Sequence, residues 1–268
     1  MSPTLEIVLW WVAFAGSHLL LSSLPVRSRL VAVMGERVFQ GLYSLLVLGL
    51  FIPLVWAYFA HKHTGPLLWS IPPSLLVRWI MYVGIALAFV LVVGSQVTPS
   101  PANLVPGEAR PRGVLRITRH PFVMGTALWA LIHLLANGTA TGVAFFGGFV
   151  IFALVGAKHQ DARKIATNVP GYREFCAATP FLPFTGGETL RGLREAAPAA
   201  VIGVAATVVV RYFHAAWFGG LGLASRIRQG CSSTAPAERQ NSWPCSAHSK
   251  VAVRQASDSS RTASPSAF

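Results

Sequence analysis

Two histidines, His18 and His133, lie within separate and otherwise apolar segments of the chain, residues 5–24 and 121–136. An ionisable imidazole is costly in hydrocarbon, and it usually faces the interior of a helix bundle and serves a function there. Neutral imidazole is also a good ligand for heme iron, which two imidazoles can hold from opposite faces. The pair therefore predicts heme bound inside a membrane, with His18 and His133 as the metal ligands.

Each histidine shares its helix face with aromatic and polar side chains, because steps of three and four residues return to the same face. The two faces comprise Trp11, Phe14, His18 and Ser22, and Thr126, Trp129, His133 and Asn137. The aromatic walls suit a flat macrocycle, and Ser22 is a candidate hydrogen-bond partner that fixes the tautomer of His18. The alternative is that both histidines are packing residues of an ordinary aromatic core.

The composition indicates a membrane protein, since 53% of the residues are hydrophobic and only 12% are charged. A soluble domain carries about a quarter charged residues. Segments near the length of about 20 residues that a membrane helix needs occur six times. They are residues 5–24, 39–60, 74–95, 121–136, 140–157 and 197–213. We expect an all-α, polytopic bundle of about six transmembrane helices.

The net charge of +13 follows from membrane topology, because the basic residues are concentrated in alternate loops. These residues are Arg27, Arg29, Arg37, Arg110, Arg112, Arg116, Arg119, Lys158, Arg163, Lys164, Arg173, Arg191 and Arg194. The other loops hold only Lys62. This asymmetry predicts that the amino terminus lies outside and that the basic loops lie in the cytoplasm. Because topology accounts for the positive charge, we expect no nucleic-acid partner. The first segment lacks a basic leader and a cleavage site, so we expect an anchor.

The depths of the two histidines permit a pair without requiring one. His18 lies about six residues, and His133 about twelve residues, from the predicted cytoplasmic end of its segment. At about 1.5 Å per residue the depths differ by roughly 9 Å. Helix tilt reduces part of that difference.

The chain divides into residues 1–218, one membrane domain, and residues 219–268, which lack apolar periodicity. A segment of this composition cannot bury enough surface to offset its ordering entropy, which predicts disorder. An extension from a shifted reading frame is the alternative, and we assign the tail no function.

Three further residues are candidates for cofactor contacts at the cytoplasmic side. Arg119 and His120 precede Pro121 at the start of the fourth segment, where they can meet an anionic group at headgroup depth. His159 follows the fifth segment and shares a helix face with Arg163 if that helix continues. This face can bind a phosphate or a propionate. The alternatives are interfacial anchors and a solvated helix end.

Several motifs together resemble the NnrU family of bacterial integral membrane proteins over residues 5–215. The motifs are Gly16-Ser17-His18, the stretch from Arg37 to Tyr43, Ala60-His61 with Leu68-Trp69, Thr118-Arg119-His120-Pro121, Leu128-Trp129, His133-Leu134, Lys158 through Lys164, Tyr172-Arg173-Glu174-Phe175 and Thr179 through Phe184. The tail has no counterpart in this pattern.

The resemblance implies a bacterial inner-membrane protein linked to denitrification and nitric oxide metabolism. The family is similar to 15-cis-zeta-carotene isomerase, which holds heme b between two histidines, and those ligands match His18 and His133. His120 and His159 match other family histidines. The resemblance also implies a hydrophobic small-molecule substrate or nitric oxide as the partner besides the lipid bilayer.

A second resemblance is to the isoprenylcysteine carboxyl methyltransferase and phospholipid methyltransferase group. It rests on Arg119-His120-Pro121, the helical hairpin that follows and the stretch from Tyr172 to Pro183. In those enzymes the arginine-histidine-proline region helps to bind S-adenosylmethionine. This chain departs from them because Gln160-Asp161 replaces their paired glutamates. A non-catalytic assembly or transport factor is the third alternative, so whether the protein is an enzyme stays open at this point.

Overall fold

The computed structural model describes residues 1–102 and 107–218 of the 268-residue chain, with side chains up to residue 214. Spatial contacts divide the chain into Met1–Tyr212 and Phe213–Phe268. The bundle described below belongs to the first of these units. The predicted disordered tail, residues 219–268, lies outside the described residues.

The described residues form nine α-helices and one 3₁₀ turn. The helices are α1 (Pro3–Ser22), α2 (Leu24–Met34), α3 (Glu36–Ala60), α4 (Leu75–Val97), α5 (Pro121–Ala136), α6 (Ala140–Ala166), α7 (Tyr172–Ala178), α8 (Thr189–Glu195) and α9 (Ala197–Phe218), and the turn is Gly113–Arg116. No strand occurs in this part of the chain, where an isolated bridge pairs Leu67 with Thr139. The predicted all-α membrane bundle is confirmed.

Five of the described helices, α1, α3, α4, α6 and α9, are long and apolar enough to cross a membrane. The protein is therefore an integral membrane protein. α5 has the bounds predicted for the fourth span, but its 16 residues extend only about 24 Å. This length is below the usual requirement for a spanning helix. Five of the six predicted spans thus correspond to helices long enough to cross a membrane, and α5 is the exception.

Helix starts follow from residues that can cap them. Ser2, Ser74 and Thr139 each accept a hydrogen bond from a backbone N–H in the first turn of α1, α4 and α6. Such capping satisfies donors that have no partner within the helix. α5 begins at Pro121, whose missing N–H costs nothing at that position.

The sequence prediction missed α2, because its residues Arg27 and Arg29 were assigned to a cytoplasmic loop. α2 is helical from Leu24 to Met34 and ends at Gly35. Gly35 has a φ of 81°, a conformation that favours glycine, and α3 begins at the next residue. The fifth predicted span ends at residue 157, and the sequence leaves the continuation of its helix open. α6 continues without interruption through its polar end to Ala166.

α1, α3, α5 and α6 share one apolar core that is rich in aromatic rings. Its buried residues are Ile7, Trp11, Phe14, Leu54, Ala57, Tyr58, Ala130, Phe145 and Phe146. Tyr58 of α3 stacks on Phe145 of α6 with ring centroids 4.0 Å apart. α1 approaches α6 closely at Gly148, where an added Cβ would collide with the Trp11 ring.

The short turn between α5 and α6 is covered by the segment that follows α3. The N–H of Leu68 donates to the carbonyl of Gly138 at 2.7 Å, and the N–H of Ala140 donates to the carbonyl of Pro66 at 2.9 Å. Main-chain groups at the end of this helical hairpin are thereby paired with protein.

At the other side of the bundle, ion pairs attach α8 to the 3₁₀ turn. Arg116 forms ion pairs with Glu188 and Glu195, and the N–H of Gly113 donates to Glu195 at 2.8 Å. The N–H of Gly113 and the Arg116 guanidinium hold the pKa of Glu195 below its ordinary value. The carboxylate form of Glu195 is therefore favoured by folding.

We expect Gly148→Ala to destabilise the bundle, because the new methyl group must displace the Trp11 ring from a packed core. Overpacking of this kind costs about 1–3 kcal/mol. The matched control is Gly147→Ala, since nothing lies within 4 Å of a Cβ at Gly147. Thermal unfolding in detergent measures both variants, and equal melting temperatures would contradict the close approach of α1 to α6.

Glu195→Gln is expected to lower thermal stability near neutral pH and to have no effect in acid. A carboxyl group whose pKa is depressed in the folded state stabilises the protein above its unfolded pKa. That contribution disappears as the pH falls through the folded pKa, which lies below the ordinary value near 4.5. Melting temperatures between pH 3 and pH 8 test this.

The control is Glu174→Gln, which changes an exposed glutamate that forms no ion pair in the described part of the chain. A constant difference between the Glu195→Gln variant and the parent protein across the whole pH range would show that Glu195 acts through shape alone.

Candidate functional site

His18 joins α1 to α3 and α6 within the membrane-spanning part of the bundle. Its Nδ1 lies 3.0 Å from the hydroxyl of Tyr43 on α3. Its ring meets the edge of Phe152 on α6, with centroids 5.1 Å apart, and Phe14 lies 6.0 Å away. The imidazole is partly buried and is oriented by a neighbouring helix.

His133 is oriented by its own helix, α5. Nδ1 of His133 donates a hydrogen bond of 2.8 Å to the carbonyl of Trp129. A carbonyl only accepts, so Nδ1 carries the proton and, in the neutral ring, the ligating electron pair is on Nε2. The ring stacks on Phe146 at 5.1 Å and lies 4.6 Å from the Trp129 ring.

Both histidines therefore contact α6, but they do so at different levels. Phe152 and Phe146 are six positions apart on α6, about 9 Å at 1.5 Å per residue. Phe149 lies between them, with its ring 4.9 Å from Trp11 and 5.6 Å from Trp129. The structure places both candidate ligands in one aromatic core without bringing them together.

The donor set nevertheless fits the predicted heme. Each imidazole has Nδ1 within hydrogen-bond distance of a protein oxygen. Coordination through Nε2 requires Nδ1 to carry the proton, so at His18 the Tyr43 hydroxyl would accept from Nδ1. Nε1 of Trp11 is buried and has no hydrogen-bond partner among the described residues, which is an uncommon state for an indole N–H. A macrocycle that contacts both imidazoles requires the rings of Trp11, Trp129 and Phe149 to move.

The hydrogen-bond partner proposed for His18 from sequence was wrong. Ser22 contacts His159 of α6, with 3.1 Å between Oγ and Nε2, and Tyr43 takes its place at His18. No spacing signal identifies Tyr43, because it lies on another helix. The contact does place His159 one helical turn from His18, beside the candidate heme site.

Arg119 and His120 belong to a second site, a polar cluster centred on Asp161. Asp161 accepts hydrogen bonds from Nε of Arg119 at 2.9 Å, from Nε2 of His120 at 2.7 Å and from the hydroxyl of Tyr172 at 2.7 Å. His120 is 2% exposed and Asp161 8% exposed. Burial and the bond to Asp161 raise the pKa of Tyr172, which keeps its hydroxyl protonated as a donor.

The same cluster holds the segment after α7. Arg119 also donates to the carbonyl of Thr179 at 2.9 Å, and its guanidinium lies 5.1 Å from the centroid of the Phe181 ring. Thr118 donates to the carbonyl of Phe181 at 2.7 Å. Protein groups thus use Nε and Nη1 of Arg119, and the cluster joins the start of α5 to α6 and α7.

Comparison with known proteins supports the motifs identified in the sequence. A sequence model of the NnrU family, described as "NnrU protein", matches residues 6–220. The chain is similar to chloroplastic 15-cis-zeta-carotene isomerase of Zea mays, at 26% identity over 191 residues, and of Arabidopsis thaliana, at 27% over 192 residues. No solved structure matches the chain.

Each of these matches covers 68% of this chain and 50% of the relative. The chain therefore spans about half the length of the curated relatives that it matches. The family model, in contrast, extends over most of the chain and includes both membrane histidines and the Asp161 cluster. The protein belongs to the NnrU family.

Proposed function

We propose that this protein is a heme-binding membrane protein with isomerase-like activity, in which His18 and His133 are the axial ligands of heme b. One observation carries the proposal: both intramembrane imidazoles have Nδ1 bonded to a protein oxygen. Similarity to 15-cis-zeta-carotene isomerase supports the reaction class.

The protein's own residues orient the ligands and exclude water. Tyr43 fixes the ring plane of His18, and the Trp129 carbonyl fixes the tautomer of His133. Partners of this kind also increase the basicity of a ligating histidine. The aromatic core around them excludes water and sets a low dielectric constant, which influences the reduction potential of a bound iron.

Heme, when bound, supplies an iron centre whose axial ligation and redox state can be coupled. The levels of His18 and His133 along α6 differ by about 9 Å. In this proposal both histidines would hold the heme, and an apolar substrate would reach the site from the bilayer.

Nitric oxide is the second partner that such a site suits, because a bound heme would supply an iron centre able to bind it. A redox role in nitric oxide metabolism or denitrification is the corresponding alternative function. We propose a bacterial inner membrane as the location, with the basic loops in the cytoplasm. The orientation rests on the distribution of basic residues.

The geometry gives the methyltransferase alternative no added support. Arg119 and His120 bind Asp161, and these groups are largely buried. S-adenosylmethionine would have to displace Asp161 in order to bind Nε2 of His120. Breaking a buried ion pair is strongly destabilising, by about 3–5 kcal/mol.

We expect the full chain, expressed with heme supplied and purified in detergent, to show a six-coordinate b-type absorption spectrum. His18→Ala and His133→Ala are each expected to abolish that spectrum while the protein still inserts. His63→Ala is the matched control, since His63 is exposed and lies outside the spans.

A full heme complement in both His18→Ala and His133→Ala would rule out the proposed ligand pair. A colourless, folded parent protein would remove heme altogether. Saturable S-adenosylmethionine binding that is lost in His120→Ala would then select the methyltransferase. Binding of neither ligand would leave the non-catalytic membrane factor.

Tyr43→Phe tests whether the orientation of the His18 ring matters for heme binding, because this variant keeps the His18 imidazole. Loss of the hydroxyl should lower heme affinity by about tenfold or more and alter the reduction potential, while the spectrum stays six-coordinate. Tyr58→Phe is the control, because Tyr58 lies in the same aromatic core and stacks on Phe145. Titration with heme measures both, and equal affinities would show that the Tyr43 bond is not used.

A further inference from the structure

Two basic residues near the end of α6, Arg163 and Lys164, have no counter-charge in the described part of the chain. Both are partly buried, and neither forms an ion pair or a side-chain hydrogen bond there. Arg116 on this side, in contrast, is paired with Glu195. A cation that is partly removed from water without an anionic partner loses hydration that nothing replaces.

Arg27 of α2 joins these residues. Arg163 interacts electrostatically with Arg27 and Tyr43, and Lys164 interacts with Arg163 and Arg27. The one carboxylate paired with this group is Glu36, 2.9 Å from Arg27. Three cations and one carboxylate leave an excess positive charge at the basic side of α1, α2 and α6.

An apolar groove opens beside Arg27, with which Arg163 and Lys164 interact electrostatically. Its lining consists of Leu21, Leu30, Met34, Phe39, Leu42, Tyr43 and Leu46, and its cavity volume is about 110 Å³. The Arg27 guanidinium lies 5.5 Å from the centroid of the Phe39 ring, so a cation borders the groove directly. A charged opening next to an apolar groove is complementary to an amphiphile with an anionic head.

We propose that Arg163, Lys164 and Arg27 hold the phosphate of an anionic phospholipid, with part of an acyl chain in the groove. The location favours this occupant, because α2 and the adjoining ends of the candidate membrane helices α1 and α3 line the groove on the basic side, where basic residues meet lipid headgroups. Tyr43 lines the groove and contacts His18. The lipid therefore reaches the residue that orients a candidate heme ligand, although its binding does not depend on heme.

The test is lipid titration of the full chain in detergent, followed by native mass spectrometry, with dioleoylphosphatidylglycerol and dioleoylphosphatidylcholine as probes. The parent protein should bind phosphatidylglycerol more tightly. Each cation near a lipid headgroup contributes about a fivefold change in affinity. The double variant Arg163→Gln with Lys164→Gln should therefore bind phosphatidylglycerol about 25-fold more weakly, with phosphatidylcholine unaffected.

The matched control removes the exposed cations Arg29 and Arg37 by Arg29→Gln with Arg37→Gln. An equal loss of affinity there would attribute binding to diffuse surface charge and overturn the proposal. Leu42→Trp fills the groove without changing charge, and it should also weaken phosphatidylglycerol binding.

Two further outcomes would overturn the proposal in favour of other anions. Displacement of the lipid by millimolar inorganic phosphate would identify a site for free phosphate. Loss of bound heme, rather than of lipid, in the variant lacking Arg163 and Lys164 would identify contacts to heme propionates. A colourless parent protein that still selects phosphatidylglycerol would support the lipid site while refuting the heme.

Discussion

A buried carboxylate on α6 determines how the rest of the bundle is assembled. Asp161 is largely removed from water, and an unpaired charge in that position would be prohibitively costly. Three donors from two other parts of the chain, Arg119 with His120 and Tyr172, satisfy it. Because the donors must converge on two oxygen atoms, they fix the rotation of α6 relative to α5 and α7. The aromatic face of α6 is thereby fixed as well.

α6 is the helix on which both histidines depend. Its phenylalanines contact His18 at one level and His133 at another. Gly148 has no Cβ, which lets the Trp11 indole of α1 approach closely. The polar end of the same helix carries His159, which contacts α1 through Ser22. A continuous helix of 27 residues thus connects the intramembrane core with the basic surface.

The sequence signals were sufficient where structure is local and insufficient where it depends on another helix. The bounds of α5 could be predicted because Pro121 starts it and Asn137-Gly138 ends it. α2 could not, since its arginines resemble loop residues unless the apolar groove beside them is known. Similarly, spacing along one helix identified the face of His18 but suggested the wrong hydrogen-bond partner. The contact with Tyr43 crosses between helices, and no periodicity within one sequence encodes such a contact.

The short α5 has a consequence for the bilayer around it. A helix of about 24 Å leaves about 6 Å of a 30 Å hydrocarbon layer unspanned. At the α5–α6 turn, the part of the layer that α5 does not span lies next to the peptide groups of Leu68 and Pro66. These groups form hydrogen bonds with the peptide groups of Gly138 and Ala140. Polar main chain is tolerated at such depth when protein satisfies it. A helix shorter than the hydrocarbon layer favours local thinning of the bilayer, here beside His133 on the side opposite the basic loops.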